Sequence, residues 1–247
     1  MNITWKEFGL FLTRLKNLPV SKSITLGNNG GFCVSTGCDI ESWVYYPERV
    51  KNIEDVKRAV NFFKKEKISF MWPLYDGGEK ILEDAGLIYA GSLTGMIYRN
   101  NNNLYQQHVE LGSEDLDYRE WAKTAWHAFG GGYDDVPENY FALVEAFHNA
   151  PGFHLMSQNN ADTTKKNYWA TVMLSDGVNA TGIYYFATIP EMRRMGVAKS
   201  FMKFISQYRN NQPLLLQSTP AGLPFYKNFG FEELCKIPVY SDVSDVF

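Results

Sequence analysis

A chain of 247 residues can form one large domain or two small ones, and 45% hydrophobic with 15% aromatic content marks a packed protein rather than a disordered one. The net charge of -3, with lysine and arginine spread along the chain, argues against a nucleic-acid partner, which normally leaves a basic footprint. Three cysteines without a CxxC spacing suit a reducing compartment, and no stretch approaches the roughly 20 apolar residues of a membrane span; the expectation is a cytoplasmic protein without a membrane partner.

Trp5, Phe8, Leu12 and Leu15 recur at helical spacing and predict an N-terminal amphipathic helix. Gly27-Asn28-Asn29-Gly30-Gly31 lacks the Walker lysine and the GxGxxG spacing, so it reads as a hairpin turn rather than a phosphate loop. A strand at 42–46, a helix on Ile53, Val56, Val60 and Phe63, a strand at 68–72, a short helix at 79–85 and paired strands over 87–98 follow. The polar run Asn100-Asn101-Asn102-Asn103-Leu104 marks a boundary between domains 1–104 and 105–247.

The second half opens with two helical stripes, Tyr118, Trp121, Ala125 and Phe129, then Phe141, Val144 and Phe147. The loop between them carries Gly130-Gly131-Gly132. Strands at 168–174 and 180–187 meet across Ser175-Asp176-Gly177, a hairpin signal. A helix with Val197, Phe201, Ile205 and Tyr208 on one face comes next. A strand at 214–217, a short helix at 223–228 and one or two closing strands over 231–240 complete the chain.

The halves answer each other in outline. "SWVYY" corresponds to "TGIYY", and "MWPLYDGGEKILEDAGL" to "LQSTPAGLPFYKNFGF". One difference stands out. The second copy passes from strand to helix through "TIPEMRRMGVAKSFM", whereas Pro47-Glu48-Arg49-Val50-Lys51-Asn52 makes the same connection without a glycine.

A helix start exposes backbone N–H groups at the positive end of the macrodipole, which favours an anion. Arg193, Gly196 and Ala198 stand there at R-x-x-G-x-A. Taken alone, this stretch is equally a phosphate cradle or a plain helix start with arginines in solvent. Its surroundings separate the two. R-x-x-G-x-A after a strand, followed by a strand, a short helix and Tyr226, Gly230 and Phe231, resembles the GNAT superfamily of N-acetyltransferases. The resemblance is good over 167–240, extends back to about Leu104, and is architectural in the first half. Arg194 stands where many members have glycine, and Ala198 replaces the commoner second glycine.

The resemblance implies an α/β (α+β) fold with a mixed, mostly antiparallel central sheet flanked by helices, in two copies, the first degenerate. It implies acetyl-CoA as co-substrate and no metal. Phe186, Ala187, Thr188 and Gln217 would meet the pantetheine arm; Arg193, Arg194, Met195, Gly196, Val197, Ala198 and Lys199 would hold the pyrophosphate. Tyr226 would be the general acid for the leaving thiolate. Asp135 and Glu138, beside Asp134, are the base candidates, and are equally solvated loop carboxylates or a helix cap. His127 reads as a satisfied helix histidine, Cys235 as a buried strand residue, and the glycine run as a lid. His108 and Glu110 form H-x-E without the cysteine pair of a zinc site.

The implied reaction is acetyl transfer to a primary amine of a small molecule or peptide by direct attack. The alternatives are a non-catalytic CoA-binding or scaffold module, and a tandem acyl- or aminoacyl-transferase using charged tRNA. The basic face expected of the last is missing.

Overall fold

The computed structural model describes residues 3–99, 116–159, 168–209 and 212–244. The first half runs α1 (Ile3–Lys16), β1 (Lys22–Leu26), β2 (Gly31–Ser35), β3 (Ser42–Tyr45), α2 (Ile53–Glu66), β4 (Met71–Pro73), α3 (Glu79–Asp84) and β5 (Ile88–Tyr98). The second runs α4 (Tyr118–Ala128), α5 (Glu138–Asn149), β6 (Phe153–Asn159), β7 (Tyr168–Ser175), β8 (Thr181–Thr188), α6 (Val197–Tyr208), β9 (Leu214–Ser218), α7 (Leu223–Phe229) and β10 (Glu232–Ser241). From β1 and from β6 onward the two series match element for element.

Contacts divide the chain into Met1–Met96 with Gln217–Phe247, and Ile97–Leu216. This differs from the division into 1–104 and 105–247. The boundary run 100–104 itself lies outside the described residues, as does the His108–Glu110 pair. Residues 217–247 group with the first unit because β10 pairs antiparallel with β4, Val239 opposite Pro73, Tyr240 opposite Trp72 and Ser241 opposite Met71. Ser241 Oγ also donates to Phe70 O at 2.8 Å, and Tyr240 Oη to Glu83 Oε1 at 3.2 Å.

In the first unit the strand order is β1-β2-β3-β4-β10-β5. Three antiparallel strands lead to a parallel β3–β4 step, Trp43 opposite Met71. The predicted α1 stripe is buried as expected, with Trp5, Phe8, Leu12 and Leu15 all inside. Below α2, Phe63 stacks on Phe70 at 4.3 Å between ring centroids, in a core with Trp72, Val56 and Leu82. Truncating either phenylalanine to alanine would cost about 3–5 kcal/mol. The Gly27–Gly31 stretch is a hairpin turn, with Gly27 at φ 54° and Gly30 at φ 84°, and Gly27 N donates to the buried Asp55 Oδ1 at 3.1 Å. The two strands expected over 87–98 form the single strand β5, which passes through Gly91 at φ 125° without breaking.

In the second unit the order is β9-β8-β7-β6, with β8 and β9 parallel and the other pairs antiparallel. Strand β6 went unpredicted, although Phe153, Leu155 and Ser157 alternate after the Pro151-Gly152 turn. Trp121 is buried and its Nε1 donates to Met156 O at 2.8 Å, fixing α4 to that strand. Phe129 and Tyr208, both assigned to buried stripes, are exposed instead. Each falls at its helix's end. Phe129 is the C-cap of α4, and Tyr208 is the last residue of α6.

Candidate functional site

Strand β8 is irregular at the point where it leaves its parallel partner. Its pairing with β9 consists of Thr181 opposite Leu214 and Gly182 opposite Leu215, so the edge from Ile183 to Thr188 runs on beyond that register. On its other edge the ladder to β7 slips between Thr171 and Met173, which stand opposite Ala187 and Tyr184. Val172 therefore faces two residues, Tyr185 and Phe186, in a bulge. Tyr185 takes φ 51°, rare for an aromatic residue, and Thr171 Oγ1 donates to its carbonyl at 3.1 Å. A bulge re-aims backbone N–H groups off the ladder, here at the residues expected to meet the pantetheine arm. Neither Thr171 nor the conformation of Tyr185 was legible in the sequence, because nothing local makes tyrosine choose a left-handed turn.

At the end of β8, Thr188 stands opposite Ala170, which stands opposite Gln158. Directly opposed residues share a sheet face. Both Thr188 Oγ1 and Gln158 Oε1 are buried without a hydrogen-bond partner among the described residues.

The turn that follows contains a single 3₁₀ turn, Pro190–Met192, then Arg193, Arg194 at φ 63° and Gly196 at φ 83°. Gly196 is the N-cap of α6, so no side chain satisfies the first N–H groups, and the first helical turn holds no acidic residue. Met195 and Lys199 are exposed and Val197 is buried; Ala198 is half-buried. The place of Arg194 is thereby explained: its position demands the conformation that glycine adopts without cost. Arg193 differs from the expectation of a simple phosphate ligand. Its Nε donates to Thr188 O at 3.1 Å and its Nη2 to Ala128 O at 2.7 Å, so the guanidinium bolts the turn to the end of α4.

The α4–α5 loop is tied down more firmly than a free lid. Gly131 N donates to Trp126 O at 3.0 Å, and the Trp126 indole leaves no space for a Cβ on Gly131. Asp135 lies against Gly132, its N–H donating to Gly132 O at 3.1 Å. Glu138 opens α5 and pairs with Arg119 at 3.3 Å, while Asp134 pairs with Lys123 at 3.5 Å. Tyr133 donates to Glu120, and burial followed by that carboxylate pushes its phenol pKa up. His127 bonds on both ring nitrogens, Nδ1 with Gly131 O at 3.1 Å and Nε2 with Glu191 Oε1 at 3.1 Å. It is indeed a satisfied helix histidine. Its partner Glu191, on the turn before α6, was not singled out in the sequence as a partner of His127.

Gln217 sits half-buried in β9. Tyr226 lies in α7, which Gly230 closes at φ 111°, with Phe231 N donating to Tyr226 O at 3.0 Å. Burial pushes its phenol pKa up. The same closure ends α3, with Gly86 at φ 88° and Leu87 N donating to Leu82 O at 3.0 Å. Leu82 therefore holds in the first copy the place that Tyr226 holds in the second.

Residues 157–243 match the model of the acetyltransferase (GNAT) domain. Solved structures extend the likeness of fold over both halves. A GCN5-related N-acetyltransferase from Kribbella flavida is similar over 98% of this chain and 96% of its own, with a TM-score of 0.65 and 11% identity. A tandem GNAT protein from the clavulanic acid biosynthesis pathway is similar over 91% and 83%, at 0.57 and 10%. One from Sphaerobacter thermophilus is similar over 89% and 80%, at 0.55 and 11%. Among curated proteins no sequence relative is found. Among the described residues no group of His, Cys, Asp and Glu is arranged to hold a metal, and no helix is long and apolar enough to cross a membrane. The three cysteines are free.

Proposed function

We propose that this protein is a cytoplasmic, acetyl-CoA-dependent N-acetyltransferase that moves the acetyl group to a primary amine of a small molecule or peptide by direct attack. The observation that carries this reading is the uncapped, acid-free start of α6 directly after the bulged end of β8, within the GNAT domain match. Unpartnered amides there suit a pyrophosphate. The amides of Met195 to Lys199 would receive it, with Arg194 and Lys199 adding charge. Arg193 would act by holding the turn in shape.

Pantetheine would pair along Phe186 to Thr188, with Gln217 on the neighbouring strand, and Thr188 Oγ1 offers it an unmet hydrogen bond. A backbone N–H freed by the bulge would stabilise the oxyanion as the amine attacks the thioester carbonyl. The thiolate of CoA would leave with the proton of Tyr226. Asp135 and Glu138 remain the base candidates, directly or through ordered water, and the acidic loop suits a cationic amine. Because the attack is direct, no acyl-enzyme is needed and the cysteines stay outside the chemistry.

Thermal shift at saturating acetyl-CoA tests the cofactor, and release of free CoA across an amine panel tests the reaction. Stabilisation without turnover on any amine would favour a CoA-binding module. No stabilisation would sink the assignment.

A further inference from the structure

His127 faces two groups that only accept hydrogen bonds. Nδ1 lies 3.1 Å from Gly131 O, and Nε2 lies 3.1 and 3.3 Å from the two oxygens of Glu191. A neutral imidazole carries one N–H and can serve only one of them; the second nitrogen would then aim a lone pair at an acceptor. The arrangement is complete only with the imidazolium. It also sits in the last turn of α4, where the macrodipole favours a cation.

The two acceptors belong to different segments. Gly131 is in the loop between α4 and α5, and Glu191 is on the turn that leads into α6. Arg193 braces the same junction through Ala128 O and Thr188 O. We propose that protonated His127 is a positioning residue that clamps the Gly130–Gly132 loop to the phosphate turn, and that loss of its proton releases the loop. The link from loop release to weaker acetyl-CoA binding rests on the proposed function; the clamp itself does not.

Glu191 and then the Gly131 carbonyl raise the His127 pKa from its ordinary 6.5, against partial burial and the nearby Arg193. The Tyr133 ring stands edge-on at 5.9 Å with its hydroxyl on Glu120, and Lys123 and Asp134 pair with each other beside it. The Glu191 carboxyl is held below its ordinary 4.5, first by its own backbone N–H and then by His127. The histidine's contribution is whole below pH 6.5 and is lost as pH rises through its raised value; the glutamate's is lost only as pH falls below 4.5.

The test uses the full chain without ligand. Amide-exchange protection of residues 129–136 is measured from about pH 6 to about pH 9, with the His127 titration followed by NMR. Wild type should titrate above the ordinary histidine value and lose protection in the loop, roughly tenfold per pH unit once past it. Glu191→Ala should lower protection at every pH. Glu191→Gln is the discriminating variant, because its amide can accept from the imidazolium or donate to the neutral ring. It should keep the loop protected while removing the pH dependence and lowering the histidine pKa. An ordinary His127 titration, or loop protection that does not follow it, overturns the clamp. In a parallel arm, acetyl-CoA stabilisation should weaken over the same pH range in wild type and not in Glu191→Gln. Stabilisation that stays constant while the loop opens overturns the coupling. No stabilisation at any pH overturns the cofactor reading and leaves the clamp to the ligand-free result.

Discussion

The two strand-to-helix junctions make opposite use of the same topology. In the first copy β3 pairs with β2 in unbroken register from Ser42 to Tyr45, and Pro47 soon follows. Asn52 then caps α2, its Oδ1 accepting from Glu54 N at 3.0 Å, with Glu54 and Asp55 in the first turn. Just before this cap, Val50 N donates to Gly77 O at 3.1 Å, and a Cβ on Gly78 would fall 2.6 Å from Val50. In the second copy β8 is bulged, Gly196 caps α6 without a side chain, and no acid follows. One helix start has a side-chain cap on Glu54 N and two acids in its first turn. The other has no side-chain cap and no acid in its first turn. Duplicated architecture is therefore no guide to duplicated function; what the first helical turn does with its amides is.

Four substitutions would break or sharpen that contrast. The largest effect is expected from Tyr226→Phe, which gives the second copy a side chain as inert as Leu82 of the first. CoA release in an amine assay should fall about 10²–10⁴-fold while acetyl-CoA still stabilises the protein. An unchanged rate would remove Tyr226 from the chemistry.

Ala198→Asp gives α6 the acidic first turn of α2. A carboxylate near the pyrophosphate should weaken acetyl-CoA binding by about 1–4 kcal/mol, read by calorimetry. The free protein should keep or slightly raise its Tm, since the charge suits the helix dipole. Equal loss of stability and binding would mean that the turn had merely unfolded.

Asn52→Ala is the converse. It should cost about 1 kcal/mol of stability in denaturant melts by removing the α2 cap, with the acetyl-CoA shift unchanged. The smallest effect belongs to Arg194→Gly. Relief of the left-handed conformation should raise stability by about 0.5–1 kcal/mol, and calorimetry would read any lost phosphate contact separately.

Much of the fold was legible because its signals are local. The α1 stripe, the Gly27–Gly31 hairpin, the β7–β8 hairpin and the α6 stripe are set by side-chain period and turn chemistry within a few residues. The repeat was legible too, and the matching closures at Leu82-Gly86-Leu87 and Tyr226-Gly230-Phe231 give it a physical basis. The misses were of two kinds. Phe129 and Tyr208 continue an apolar period at a helix end but are exposed. Nor did the sequence show that Arg193 donates to Thr188 O and, 65 residues away, to Ala128 O.

The sequence by itself determined the order of elements, the place of the glycine-containing turn, and which copy holds Tyr226. Those properties follow from backbone preference and from which side chains a short window contains. Only the tertiary structure decided that residues 217–247 return to the first unit, that β8 bulges at Tyr185, and that Glu191 meets His127. Each depends on a partner brought near by folding: a strand finding an edge, a carbonyl finding Thr171, an imidazole finding a carboxylate. No window of sequence contains both halves of such a pair.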